Sequence, residues 1–279
     1  MYKCFKKSRI LWWVVLILEL IFIALFFVDL EVAGRKVLPP FGVDITLHWI
    51  LMLWVLSPIV AGIISEIYAR KLMRAVDSIL YEECDPCKFV AEYERFLPKT
   101  PENIIPFMYL MICNGCLLAG DIESAKKYID QIKGFPKNKA KNALYRLVHY
   151  SNMVGYSSSF EDWVATDNWL EKMKEILDDS ANGIKPNLRD GFRLTYISQL
   201  YAVNISKGEF EGAEEVFLAD INTSKSKISK VLSQHRLGKV YLHFNRLDEA
   251  KAAFEYVITN GNTTGCVTEA KELLEHING

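Results

Sequence analysis

Charge is missing from one stretch of this chain, and familiar catalytic motifs are missing from all of it. Between Ile45 and Ser65 there is no Asp, Glu, Lys or Arg, and from Ile10 to Val28 only Glu19 is charged. Glycine and proline are sparse, 15 and 9 of 279 residues, and no low-complexity run appears, so a linker-rich or disordered chain is excluded. The sequence holds no phosphate-binding loop, no Rossmann glycine pattern, no His-Glu-x-x-His and no Gly-x-Ser-x-Gly. That removes the usual grounds for expecting nucleotide chemistry, zinc proteolysis or serine hydrolysis. Its five histidines are scattered. A basic excess is also lacking where most of the chain lies. The formal net charge is −1, but from residue 75 onward 24 basic residues face 29 acidic ones. Phosphate-backbone binding needs clustered Lys and Arg in excess, so nucleic acid is not an expected partner.

What is present begins with the two apolar stretches. A helix rises about 1.5 Å per residue, so roughly 20 apolar residues cross a hydrocarbon layer of about 30 Å. Length and composition therefore predict transmembrane helices at 10–28 and 45–67, joined by an extracytoplasmic loop at 29–44 that contains the stiff run Leu38-Pro39-Pro40-Phe41-Gly42. Basic residues cluster before the first stretch (Lys3, Lys6, Lys7, Arg9) and after the second (Arg70, Lys71, Arg74). Such residues stay on the cytoplasmic side. The expectation is a multi-pass cell-membrane protein with residues 1–9, a helical stem at 68–84 and everything after it in the cytoplasm, in contact with the lipid bilayer through the two spans. Glu19, within the first span, is expected to be neutral or hydrogen-bonded across the hairpin.

The remainder repeats itself. Gly120-Asp-Ile-Glu-Ser-Ala125-Lys-Lys-Tyr-Ile129, Gly208-Glu-Phe-Glu-Gly-Ala213-Glu-Glu-Val-Phe217 and Asn245-Arg-Leu-Asp-Glu-Ala250-Lys-Ala-Ala-Phe254 align without gaps. Gly or Asn tolerates the left-handed backbone that ends a helix. Glu123, Glu211 and Asp248 put negative charge at the positive start of the next helix. Ala125, Ala213 and Ala250 let two helices approach, and Ile129, Phe217 and Phe254 fill the space one turn later. Ala213 follows Ala125 by 88 residues, too many for one ordinary repeat, so 140–190 is expected to add an irregular helix pair, with Ser159 and Asp162 as a capping box. Asp85-Pro86 reads as a helix start.

This pattern resembles the tetratricopeptide repeat, a 34-residue helix–turn–helix unit. Residues 231–264 carry it best, with Leu237, Gly238, Tyr241, Ala250 and Phe254 at the packing positions, though Gln234 replaces the leading Trp and Asn262 the closing Pro. The resemblance implies an all-α solenoid over 85–279 whose first helices line a groove for a protein or peptide partner. The family's groove positions fall on Thr195, Ser198, Ala202 and Ile205 in one copy and on Leu232, His235, Lys239, Leu242 and His243 in the next. Some members clamp a C-terminal carboxylate; Asn114 matches the clamp's Asn, but Leu110 stands where a Lys is needed.

The function expected is that of a membrane-anchored scaffold binding its partner through that groove, with no catalytic residue, metal or cofactor. Two alternatives stay open. Cys84-Asp-Pro-Cys87 and Cys113-Asn-Gly-Cys116 form a double Cys-x-x-Cys pattern. Four thiolates there would make a zinc-dependent regulatory module; as free cysteines they are ordinary small core residues. The other alternative is a membrane-bound enzyme of unfamiliar chemistry.

Overall fold

The structure, a computed structural model, describes residues 13, 14, 17, 62, 63, 67, 71 and 74–278. The chain divides into two compact units, 1–75 and 76–279. In the first, the described residues are helical, and Trp13, Val14, Ile17, Ile63 and Ile67 are exposed.

One expectation is corrected here. Among the described residues no helix is long and apolar enough to cross a membrane, so the fold is not a pair of spanning helices followed by a solenoid. The two helices of sufficient length, Lys139–Ser158 with 20 residues and Pro186–Ser206 with 21, each hold three charged side chains. Apart from Trp13, Val14, Ile17, Gly62, Ile63 and Ile67, the stretches 10–28 and 45–67 lie outside the described residues, as does Glu19.

The second unit is helical throughout, with no strand among the described residues. A helix through 74–81 precedes α1 (Pro86–Phe96). There follow α2 (Ile105–Ala119), α3 (Ile122–Ile129), α4 (Lys139–Ser158), α5 (Trp163–Asp178), α6 (Pro186–Ser206), α7 (Ala213–Thr223), α8 (Lys227–His243), α9 (Leu247–Asn260) and α10 (Gly265–Asn278). Each leading helix (α2, α4, α6, α8) packs against the return helix after it, and each leading helix also packs against the next leading helix. The result is a solenoid-like stack.

The turn between paired helices recurs in register. Gly120, Glu161, Gly208 and Asn245 all adopt positive φ, between 55° and 88°. Five residues later stand Ala125, Thr166, Ala213 and Ala250, each fully buried. Glu161 and Thr166 therefore mark a fourth copy, in which a carboxylate side chain holds the left-handed position and a hydroxyl replaces the alanine methyl. Thr166 is accommodated because its Oγ1 donates to Asp162 O at 2.7 Å and lies 2.8 Å from Ser157 Oγ. Cys84, at φ 53°, makes the same turn before α1. Asp85, Asp121 and Asp162 cap the helices that follow, each carboxylate accepting an N–H three residues on. Asp162 rather than Ser159 is thus the N-cap of α5; Ser159 ends α4.

Two apolar clusters hold the stack together. One lies between α4, α5 and α6, around Leu147, Met173 and Leu177. The other joins the first helices of the second unit to its last: Val76, Leu80, Phe89 and Ile112 share it with Val231, Phe254, Val267 and Ala270. Residues 76–84, which the sequence places in a stem, contribute to this core. The array accordingly returns on itself. Asn262 Nδ2 donates to Glu83 O at 3.0 Å and Thr263 Oγ1 donates to Asp85 Oδ1 at 2.7 Å. The start of α10 lies so close to the end of α2 that a Cβ on Gly265 would meet Gly120 Cα at 3.1 Å.

Candidate docking face

The leading helices are joined by one polar side chain per interface. Asn152 of α4 donates to Leu110 O of α2 at 2.9 Å, Gln199 of α6 donates to Ser151 O of α4 at 3.1 Å, and Arg236 of α8 donates to Ser198 Oγ of α6 at 2.7 Å. Asn152, Gln199 and Arg236 each stand fourteen residues before the buried small residue of their pair, Thr166, Ala213 and Ala250. The rungs are therefore a property of the repeat. The buried Asn152 amide finds its acceptor only when the neighbouring helix is in register, and the half-buried Gln199 and Arg236 reach across at the same level of their repeats.

Cross-contacts fix the direction of the helices. Tyr201 lies beside Gly212, and the Arg236 guanidinium sits over the Phe217 ring, so α6 and α7 are antiparallel. Asp220 accepts from Ser233 while Glu214 pairs with Arg246 at 2.9 Å, so α7 and α8 are antiparallel too. Hence α6 and α8 run the same way and begin at the same edge of the stack.

The nine groove positions do not form one open surface. Ile205 and His235 are buried, while Ser198, Ala202, Leu232, Lys239 and Leu242 are half-buried. Thr195 and His243 are exposed. The His243 ring stacks on Phe210 with centroids 3.8 Å apart, and Thr195 donates to Gly191 O. His235 and Lys239 converge on Glu269 of α10. The His235 ring and then Lys239 hold the Glu269 carboxyl down at about 2, while burial keeps His235 below its ordinary value. A carboxyl with a depressed pKa adds stability that is fully present above its unfolded value near 4.5 and is lost as pH falls towards 2. Replacing Glu269 with Gln should therefore lower the melting temperature at pH 7 and leave it nearly unchanged at pH 2. An equal loss at both would mean that the carboxylate charge plays no part.

What the groove positions adjoin is more informative. α6 exposes Leu188, Leu194 and Ile197 by 43%, 59% and 39%. The return helix α7 has only 11 residues against 21 in α6, so it does not reach the first turns of α6, where Arg189 and Arg193 meet the end of α5 instead. The sequence reading passed over these residues because an apolar side chain in a periodic helix looks like core.

Helix starts differ in charge, although Glu175, Asp178 and Asp179 at the end of α5 share the edge where α4 and α6 begin, and α5 itself starts without an acid. Return helices α3, α7 and α9 begin with acidic residues, Glu123, Glu214 with Glu215, and Asp248 with Glu249. That suits a helix N-terminus. Leading helices α4, α6 and α8 have no acid in their first turns. Instead, their starts and preceding loops carry exposed or half-buried Lys139, Lys141, Lys185, Lys225, Lys227 and Lys230. None of these six makes an ion pair among the described residues.

The cysteines sit differently. Cys84, Cys113 and Cys116 are buried and Cys87 is exposed, all as free thiols. Burial pushes the Cys113 and Cys116 thiols up to about 12, far from the thiolate a metal requires. Among the described residues no three His, Cys, Asp or Glu side chains are gathered as a metal site needs. Comparison with protein-family models, with curated proteins and with solved structures finds no match for the chain.

Proposed function

We propose that the helical stack is a docking platform for a protein or peptide partner, with the middle of α6 as its contact surface. The observation that carries this reading is the exposure of Leu194 and Ile197 beside Thr195 and Ser198. Scattered exposed apolar residues need no explanation, but Leu194 and Ile197 stand one turn apart on the same face of a leading helix, and such a pair is the kind of surface that partners cover. The resemblance of the repeat to the tetratricopeptide family supports the same reading, since that family presents its leading helices to peptides. No cofactor enters the proposal. A photo-crosslinking side chain at Ile197 should yield a discrete adduct in cells, lost when Leu194 is also changed to Asp and absent for a crosslinker at exposed Glu175 of α5. Equal crosslinking from both positions would remove the case for α6.

A further inference from the structure

We infer that three ring side chains at the turns after α6 and α8 form a docking site for a basic segment of a protein partner. Phe210 lies in the turn between α6 and α7, while His243 and Phe244 stand at the end of α8. The His243 ring stacks on Phe210 with centroids 3.8 Å apart, and Phe244 meets both rings edge-on, at 5.0 Å from His243 and 6.4 Å from Phe210. Leu247 follows at the start of α9. Phe244 and Leu247 remain exposed by 52% and 40%, and His243 is exposed as well. The repeat does not require this cluster. At the position of Phe244 the other copies carry Ala119, Phe160 and Lys207, and at the position of His243 they carry Leu118, Ser159 and Ser206. Alanine and lysine precede the same left-handed turn at Gly120 and Gly208, so the adjoining exposed rings serve something other than the turn.

Charge selects the occupant. Glu209 and Glu211 flank Phe210 in sequence, Glu215 lies in the first turn of α7, and Asp248 follows Leu247. All four are exposed and make no ion pair among the described residues. The cations of the same two turns are already engaged. Lys207 Nζ donates to Asp167 at 2.7 Å, and Arg246 pairs with Glu214 at 2.9 Å and Glu249 at 3.0 Å. Lys239, one turn before His243, is held by Glu269; Lys251, one turn after Leu247, is the neighbouring cation in sequence without an ion pair among the described residues. The negative ends of α6 and α8 offset the positive starts of α7 and α9, so the carboxylates decide the sign. Arg246 shows what such surroundings hold: its guanidinium rests 4.3 Å from the Tyr241 ring centroid, between two carboxylates. A ring face and a carboxylate together attract a cation, and the exposed rings with their unpaired acids offer the same to an arginine or lysine from outside. A second copy docked through this face would set acids against acids, and anionic lipid headgroups would be repelled. The face is separate from Leu194 and Ile197, which lie well before the end of α6, and either can fail without the other.

The test is a fluorescence-anisotropy titration of the full-length chain with two labelled peptides of about 12 residues. One alternates arginine with serine; the other has citrulline for arginine, which keeps the side-chain shape without the charge. The arginine peptide should bind and weaken with added salt. Its affinity should fall about five-fold with Phe244→Ala and nearly as far with Phe244→Leu, which keeps apolar bulk but not the ring. Glu209→Gln, Glu211→Gln and Asp248→Asn together should cost about ten-fold. All these positions are exposed, so circular dichroism should show retained helix, and Leu194→Asp should leave the affinity unchanged. A citrulline peptide bound as tightly as the arginine one, or full affinity in Phe244→Leu, would overturn the cation assignment. A loss confined to the carboxylate variant would mean diffuse charge attraction and remove the ring site. Loss of the arginine peptide with Leu194→Asp, and not with Phe244→Ala, would place its binding on α6 instead. Binding to phosphatidylserine vesicles, or self-association, abolished by Phe244→Ala would assign the face to a membrane or to a second copy and overturn the proposal.

Discussion

Phe254→Ala should cost about 3–5 kcal/mol of folding stability, the ordinary penalty for deleting a large, fully enclosed ring. Phe254 has no exposed surface, and its ring lies over Gly238 of α8 so closely that a Cβ there would meet Phe254 Cε1 at 2.5 Å. The two positions are thus one contact, a ring on the return helix resting on bare backbone of the leading helix. Gly238→Ala alone should destabilise by about 1–3 kcal/mol, because an aromatic ring in a packed core cannot step aside without moving its neighbours. In the Phe254→Ala background the same change meets no ring and removes a helix glycine, which by itself favours folding by about 1 kcal/mol. Gly238→Ala should therefore change sign between the two backgrounds. Urea denaturation of the four proteins of the double-mutant cycle checks this. A Gly238→Ala effect that is the same in both backgrounds would mean the contact is not where the strain arises.

That pair also shows what the sequence could disclose. Gly238, Ala250 and Phe254 were legible because each position permits few residue types: backbone contact, close helix approach and a filled interior. The copy at Glu161 and Thr166 was not legible. The left-handed turn there is held by backbone geometry and the Asp162 cap, and the buried hydroxyl is satisfied locally, so neither position displays the Gly and Ala that mark its equivalents. The polar rungs were hidden for a related reason. Asn152, Gln199 and Arg236 share a position but not a residue type, and only the fold shows that each reaches back to the preceding leading helix. His235 and Lys239 were placed in the groove by analogy, which could not reveal that Glu269 of the last helix would already engage them. Apolar run length led furthest astray, since hydropathy alone assigned spanning helices that are absent among the described residues.

The return of α10 to the first pair carries the second large consequence. In an open repeat array each unit touches only its neighbours, stability is close to a sum of local terms, and damage at one end leaves the other end folded. Here Val267 and Ala270 belong to the same apolar cluster as Leu80, Phe89 and Ile112, and Thr263 bonds to the cap of α1. Gly265 is where the seam is tightest. Its would-be Cβ meets Gly120 Cα and N at 3.1 Å and Ala119 C at 3.2 Å, all of them backbone. No side-chain rotation can relieve that contact, so Gly265→Val should push α10 off α2 at a cost of several kcal/mol, by about the overpacking penalty plus the apolar burial lost along the seam. The site of the damage is the informative part. Hydrogen exchange should speed up in 84–119, some 150 residues away in sequence, and by more than in the α4–α5 pair, which has its own core around Leu147 and Met173. If Gly265→Val instead loosens only α9 and α10, the two ends are adjacent without being coupled, and the unit behaves as an open stack.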